Sequence, residues 1–164
     1  MHIFIFKYCV YLSWKSEDNL FIKDVDSVKY KVSTFGKSKL SRSLILLHSY
    51  LYAGGEQKEL FDNNIEIEHI FPKKWQDTNY NGWLYADAES YLERLGNKIP
   101  FEKKLNIQAG NGYFGAKKVK YSDSSIYEVQ CLGKYHKNDW IKDDIEEREK
   151  SMIDRLITFF KENL

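Results

Sequence analysis

The chain has 164 residues, of which 43% are hydrophobic and 16% aromatic, and its formal net charge is +1. That is enough to bury one core of ordinary size, too aromatic for a disordered or low-complexity chain, and so close to neutral that any surface for a polyanion has to be local. Cys9 and Cys131 stand far apart with no CxxC pair, which removes the usual ligands of a structural zinc and fits a reducing, cytoplasmic setting.

Residues 1–12 are apolar but interrupted by Lys7, lack a small-residue cleavage site, and are too short to span a membrane. Residues 1–35 mix β-branched and aromatic residues in a way that fits either two strands or a helix pair. Residues 1–40 are expected to form an N-terminal extension packed on a core built from residues 41–164. Leu40, Leu44, Leu47 and Leu51 recur at helical spacing, and Gly54-Gly55 supplies a left-handed stop.

The alternation of Ile65, Glu66, Ile67 and Glu68 predicts a short half-buried strand that ends by Pro72 and delivers Glu68 and His69. Asp87 is expected to cap a short helix running to Leu95 with Gly96 as its terminator, ahead of a second strand around residues 98–101. Asn106 is expected to open a new segment. Gly110, Gly112 and Gly115 with Lys117, Lys118 and Lys120 suggest a phosphate-facing loop. A last helix is predicted from a cap at Asn138 or Asp139, with Ile141, Ile145, Met152, Leu156 and Phe160 on one face and residues 143–149 as a solvated acidic run.

Hydrolysis of a phosphodiester needs a base to take a proton from water, together with positive charge to stabilise the crowded phosphorus and the leaving oxygen. Successive side chains of a strand point to opposite sides, so Glu68 and His69 diverge about a point where a phosphate could lie. A hard ion such as Mg²⁺ takes one or two protein oxygens and keeps several waters, a role that suits the Glu68 carboxylate and the Asn106 carboxamide; Mn²⁺ suits the same donors.

The ordered set Glu68-His69-Ile70-Phe71-Pro72, Leu95-Gly96-Asn97, Asn106 nine positions after Asn97, and Lys117 before Tyr121 resembles the C-terminal HNH (His-Me finger) endonuclease domain of the GmrSD-type modification-dependent restriction endonucleases. The likeness runs from about Ser41 to the C-terminus and takes in Trp140, Ile145, Arg148 and Leu156 of the closing helix. The acidic residue before His69 and the later Asn are also similar to the HNH domain of RNA-guided CRISPR nucleases. The resemblance implies an α+β fold with a ββα-metal core and surrounding helices, with residues 41–164 as the endonuclease domain. It implies His69 as general base, Asn97 as the residue that orients it, Glu68 and Asn106 as ligands of Mg²⁺ or Mn²⁺, and Lys117 as a phosphate contact. It further implies DNA as substrate, including modified phage DNA, in an anti-phage restriction system. An NTP-hydrolysing targeting module usually accompanies the domain, and no P-loop signature occurs here. The sequence departs from the family at Lys98-Ile99-Pro100, where a more apolar strand is usual, so a short or edge strand is expected.

Between Lys98 and Lys120 six lysines face the single acid Glu102, a formal excess of +5 around Asn106 that would attract phosphates, with Lys104, Lys117 and Lys118 as its candidate contacts. Elsewhere the plainer readings prevail. His48 lies in an apolar helical run and is expected to be a core histidine bonded to a carbonyl, while His2 and His136 lack acidic or amide companions. Glu66 shares the strand face of Glu68 and stands second to it. Tyr113 could stack on a base, and Phe114 is expected in the core. A catalytically silent nucleic-acid-binding or assembly module is the alternative function; the complete set of Glu68, His69, Asn97 and Asn106 speaks against it.

Overall fold

The computed structural model describes residues 39–57, 61, 64–75 and 83–163. The readings of residues 1–35, of His2 and of Cys9 lie outside the described residues, as does all but the end of the proposed N-terminal extension. The described chain is α+β: α1 (Lys39–Ala53), β1 (Ile65–His69), α2 (Tyr85–Leu92), a single 3-10 turn (Leu95–Asn97), β2 (Lys98–Glu102), α3 (Lys103–Ala109), α4 (Phe114–Ser122), α5 (Tyr127–Gly133) and α6 (Lys142–Asn163). None of the described helices is long and apolar enough to cross a membrane.

Helix α1 follows its leucine periodicity and stops where Gly54 takes a φ of 58°, the left-handed geometry that favours glycine. Its Leu44, Ile45 and Leu47 bury against Leu95 and against Met152, Leu156, Ile157, Phe159 and Phe160 of α6. Each such aliphatic side chain contributes about 1.5–3 kcal/mol on leaving water. A second cluster joins Ile65, Ile70, Phe71, Ile99, Phe101, Phe114, Tyr121, Val129, Trp140 and Ile145. The sheet stands where both clusters are reached, since Ile67 packs against the first and Ile65 belongs to the second.

β1 and β2 pair antiparallel with Ile65 opposite Glu102, Ile67 opposite Pro100 and His69 opposite Lys98. Pro100 has no N–H to give, and among the described residues the sheet has two strands, so β2 has no third strand on its outer side to satisfy. At five residues the strand is short, one of the two outcomes expected of it.

Several boundaries differ from expectation. Helix α2 begins at Tyr85, two residues before Asp87, and ends at Leu92; Asp87 sits in its first turn and pairs with Lys142 instead of capping. Gly96 lies inside the 3-10 turn and ends no helix. Its role is close approach: a Cβ there would sit 1.9 Å from the Ile145 carbonyl oxygen and 2.9 Å from the Glu149 nitrogen, because α6 presses against the turn. Asn106 lies within α3, which starts directly after β2. The supposed phosphate-facing loop is largely helix α4, because Phe114, Lys117 and Tyr121 share one buried helical face.

α6 starts at Lys142, beyond Asn138 and Asp139, because Asp144 reaches back to accept the Ile141 N–H at 3.0 Å in the manner of a capping box. Its expected apolar face is buried at Ile145, Met152, Leu156 and Phe160. The acidic run is only partly solvated. Asp144 is buried beside Tyr135 and Lys137, and Glu149 binds Arg94 and the Leu95 N–H.

One buried charge network ties α1, α5 and α6 to the turn. Arg148 donates from Nη1 to the carbonyls of Lys98 (2.8 Å), Gly96 (3.1 Å) and Leu95 (3.3 Å), and from Nη2 to Glu128 Oε1 at 2.7 Å. His48 is buried as expected, but its Nδ1 lies 3.2 Å from Glu128 Oε1, a carboxylate where a carbonyl was anticipated. Burial alone would raise the Glu128 carboxyl, yet His48 and Arg148 hold it down at about 2.

Two measurements check this framework. Gly96→Ala is expected to destabilise the protein by ~3 kcal/mol or more in urea unfolding, since backbone atoms and not a flexible tip occupy the space. The Glu128 carboxylate contributes stability that is present above its ordinary value of 4.5 and is lost as pH falls toward about 2. Glu128→Gln should therefore cost ~3–5 kcal/mol at neutral pH and flatten the acid limb of the stability profile. An unchanged acid limb would remove Glu128 from its role.

Candidate active site

The end of β1 places chemistry on both faces of the strand. Glu66 and Glu68 project to one side, toward α3 and α4, while His69 projects to the other beside its cross-strand partner Lys98.

His69 is 8% exposed, and its Nε2 lies 3.2 Å from Glu93 Oε1. The other Glu93 oxygen takes the buried Lys98 ammonium at 2.7 Å. Burial first, then the charges of Lys73 and Lys98 outweighing Glu93, hold the imidazole down at about 4, so it is neutral at physiological pH. With Nε2–H donated to the carboxylate, Nδ1 carries the free lone pair. Burial raises Glu93 itself, but Lys98 and His69 more than reverse this and leave it below the ordinary carboxylate range.

Asn97 is fully buried and holds the strand end in place. Its Oδ1 accepts the Phe71 N–H at 2.7 Å, its Nδ2 donates to the carbonyls of Phe71 (3.1 Å) and Leu92 (2.9 Å), and its own carbonyl accepts the Ile70 N–H at 2.9 Å. The segment that leaves His69 is thus bonded at both Ile70 and Phe71. α2 is tied to the same side chain.

On the opposite face Glu68 is 6% exposed, and its Oε1 accepts from Lys117 Nζ at 2.5 Å and from the Tyr121 hydroxyl at 3.3 Å. Lys117 also donates to the His69 carbonyl at 2.7 Å. Burial pushes the Glu68 carboxyl up and the Lys117 ammonium down, and each charge opposes the other's shift. Asn106 Nδ2 meets Glu66 Oε2 at 2.9 Å, so the carboxylate in hydrogen-bond contact with the Asn106 side-chain amide is Glu66.

The lysine assignments change most. Expected to touch phosphate, Lys117 is 1% exposed and turned inward onto Glu68. Lys118 is half-buried and caps the carbonyls of Tyr135 and Lys137. Lys98 is buried on Glu93, while Lys104 remains on the surface. The basic excess read from the sequence is therefore divided: Lys98 and Lys117 are buried, Lys118 and Lys120 half-buried, and Lys103 and Lys104 exposed. Phe114 is in the core as expected, and Tyr113 is exposed.

Glu93 and Lys98 are charged neighbours of His69 that were not expected beside it. No local pattern marks Glu93, which sits just past the end of α2. The inward turn of Lys117, by contrast, was legible: it lies three residues after Phe114 and four before Tyr121, on one helical face with two aromatic residues.

Among the described residues no group of three or more His, Cys, Asp or Glu is placed to hold a metal ion. The donors near α3 are instead a carboxylate and a carboxamide on a partly exposed surface, an oxygen-bearing set that fits a hard divalent ion with water completing its shell.

The sequence matches the family described as GmrSD restriction endonucleases, C-terminal domain, over residues 15–155, and the chain belongs to that family. Its class is therefore that of a restriction-endonuclease-type nuclease domain, one that acts on DNA. No curated protein and no solved structure matches the chain.

The Lys117–Glu68 pair is open to a direct test. Lys117→Met leaves a buried carboxylate without its counter-ion and is expected to cost ~3–5 kcal/mol in urea unfolding; adding Glu68→Leu should recover much of that loss. Equal stability of wild type and the single variant would show that the pair does not hold the strand end.

Proposed function

We propose that the chain is a metal-dependent DNA endonuclease domain of the HNH (His-Me finger) type, with β1, β2 and α3 as its ββα-metal core and His69 as general base. The observation that carries this reading is the buried imidazole of His69, held neutral and aimed by Glu93.

A neutral imidazole with its lone pair on Nδ1 accepts a proton from water. The resulting hydroxide attacks phosphorus, and the bond to the leaving sugar oxygen breaks. Glu93 holds the tautomer and stabilises the imidazolium that forms. An incoming phosphate offsets the charge of Lys73 and Lys98, so substrate binding raises the basicity of His69 when it is needed. Asn97 fixes the direction of the strand end and with it the imidazole. Mg²⁺ or Mn²⁺, for which the resemblance implies Glu68 and Asn106 as ligands, would supply neutralisation of charge on the phosphate and the leaving oxygen. Lys104 is an exposed cation on α3 and suits backbone contact. Membership of the family supports a role in restricting foreign or modified DNA alongside an NTP-hydrolysing targeting subunit or domain.

The test is nicking of supercoiled plasmid in Mg²⁺ or Mn²⁺ by the wild type and by His69→Ala. The variant is expected to lose ~10²–10⁴-fold in rate while still binding DNA. The wild-type kcat/KM should fall only as pH drops toward about 4, where the imidazole gains its proton. Equal nicking by both proteins defeats the reading. So does failure of the wild type to nick any DNA, modified DNA with an NTPase partner included.

A further inference from the structure

We propose that Glu66 is a direct ligand of the divalent cation, shared with Asn106; this rests on the nuclease reading above and names a ligand that neither the resemblance nor the family assigns. Glu66 and Glu68 leave the same face of β1, but their surroundings differ in kind. Glu68 is enclosed, and its Oε1 receives both the Lys117 ammonium and the Tyr121 hydroxyl. A fixed cation beside that carboxylate opposes the approach of a second one. Glu68 serves the fold as the counter-ion of Lys117.

Glu66 has the opposite character. Its side chain is 42% exposed, Lys103 stands 3.9 Å from its Oε1, and its Oε2 stands 2.9 Å from the Asn106 amide. Two oxygens at right angles on an octahedral ion with bonds of about 2.1 Å lie roughly 3.0 Å apart. The Glu66 and Asn106 heads already have the spacing of adjacent ligands. Without a cation the carboxylate attracts the donor end of the carboxamide; a half-turn about the last side-chain torsion of Asn106 presents its oxygen instead.

The two groups are held by different elements, so the spacing is built by the fold. Glu66 is set by pairing opposite Phe101, whose ring is fully buried on the same face of the sheet, and Asn106 by α3, whose first residue bonds to the Asn64 carbonyl just before β1. Exposure on the outer side leaves room for the waters that a hard ion retains.

The experiment is an electron-paramagnetic-resonance titration of free Mn²⁺ with the whole chain, in the absence of DNA. Wild type, Glu66→Gln, Asn106→Ala and Glu68→Gln are compared, and circular dichroism reports the folding of each. Glu66→Gln and Asn106→Ala are expected to weaken Mn²⁺ binding by about tenfold or more while unfolding as the wild type does without the ion. Retention of wild-type affinity to within about twofold in Glu66→Gln overturns the inference, as does a wild type that binds no Mn²⁺. Glu68→Gln is expected to lose stability; if it folds and it alone loses Mn²⁺, Glu68 is the ligand and the inference fails. Because binding is read without DNA, the two readings fail separately. A wild type that binds Mn²⁺ through Glu66 yet nicks nothing leaves this inference standing and defeats the nuclease, and His69-dependent nicking with unaltered binding in Glu66→Gln does the reverse.

Discussion

The side-chain amide of Asn97 bonds to both the N–H and the carbonyl of Phe71 and to the end of α2, and the geometry around His69 follows from it. A carboxamide is one of few side chains that can accept from one backbone group and donate to two others without carrying charge into the interior. Removed from water, these bonds are worth more than at the surface, and each becomes a penalty if its partner is lost. The strand end therefore has one position, and the imidazole that follows from it has one direction. Arg148 stabilises the neighbouring turn from behind by donating to two of its carbonyls, Leu95 and Gly96, and to that of Lys98 at the start of β2.

Charge inside this domain is organised in pairs that span elements. Glu128 meets His48 and Arg148, Glu68 meets Lys117, and Glu93 meets Lys98 while facing His69. Buried pairs of this kind give little net stability over a well-packed apolar alternative, but each tolerates only one arrangement of its partners. Here they select how α4, α5 and α6 dock on a sheet of two short strands. The same arrangement separates two electrostatic environments across β1: a neutral imidazole held by Glu93 beside Lys98 on one face, and Glu68 paired with Lys117, with Glu66 beside Asn106, on the other.

Much of the framework was legible in order along the chain. The leucine spacing of α1, the alternation of β1 and the apolar stripe of α6 express short-range periodicities that burial then rewards. Boundaries were less legible where a distant group competes with a local signal. Asp87 has the chemistry of a cap but is drawn to Lys142, and α6 waits for Asp144 because its carboxylate satisfies the Ile141 N–H. Gly96 reads as a helix terminator until α6 is seen lying against it.

By itself the sequence determined which residue types are available and which side of β1 they occupy, Glu66 with Glu68 and opposite His69; that Lys117 shares a buried helical face with Phe114 and Tyr121 emerged with α4, where a loop was expected. Only the tertiary structure decided that Asn106 meets Glu66, that Lys117 meets Glu68 and that Glu93 meets His69, across 40, 49 and 24 residues. The physical reason is that such partners are chosen by whole-element packing and by the burial of their charges, and neither quantity is a property of any stretch of neighbouring residues.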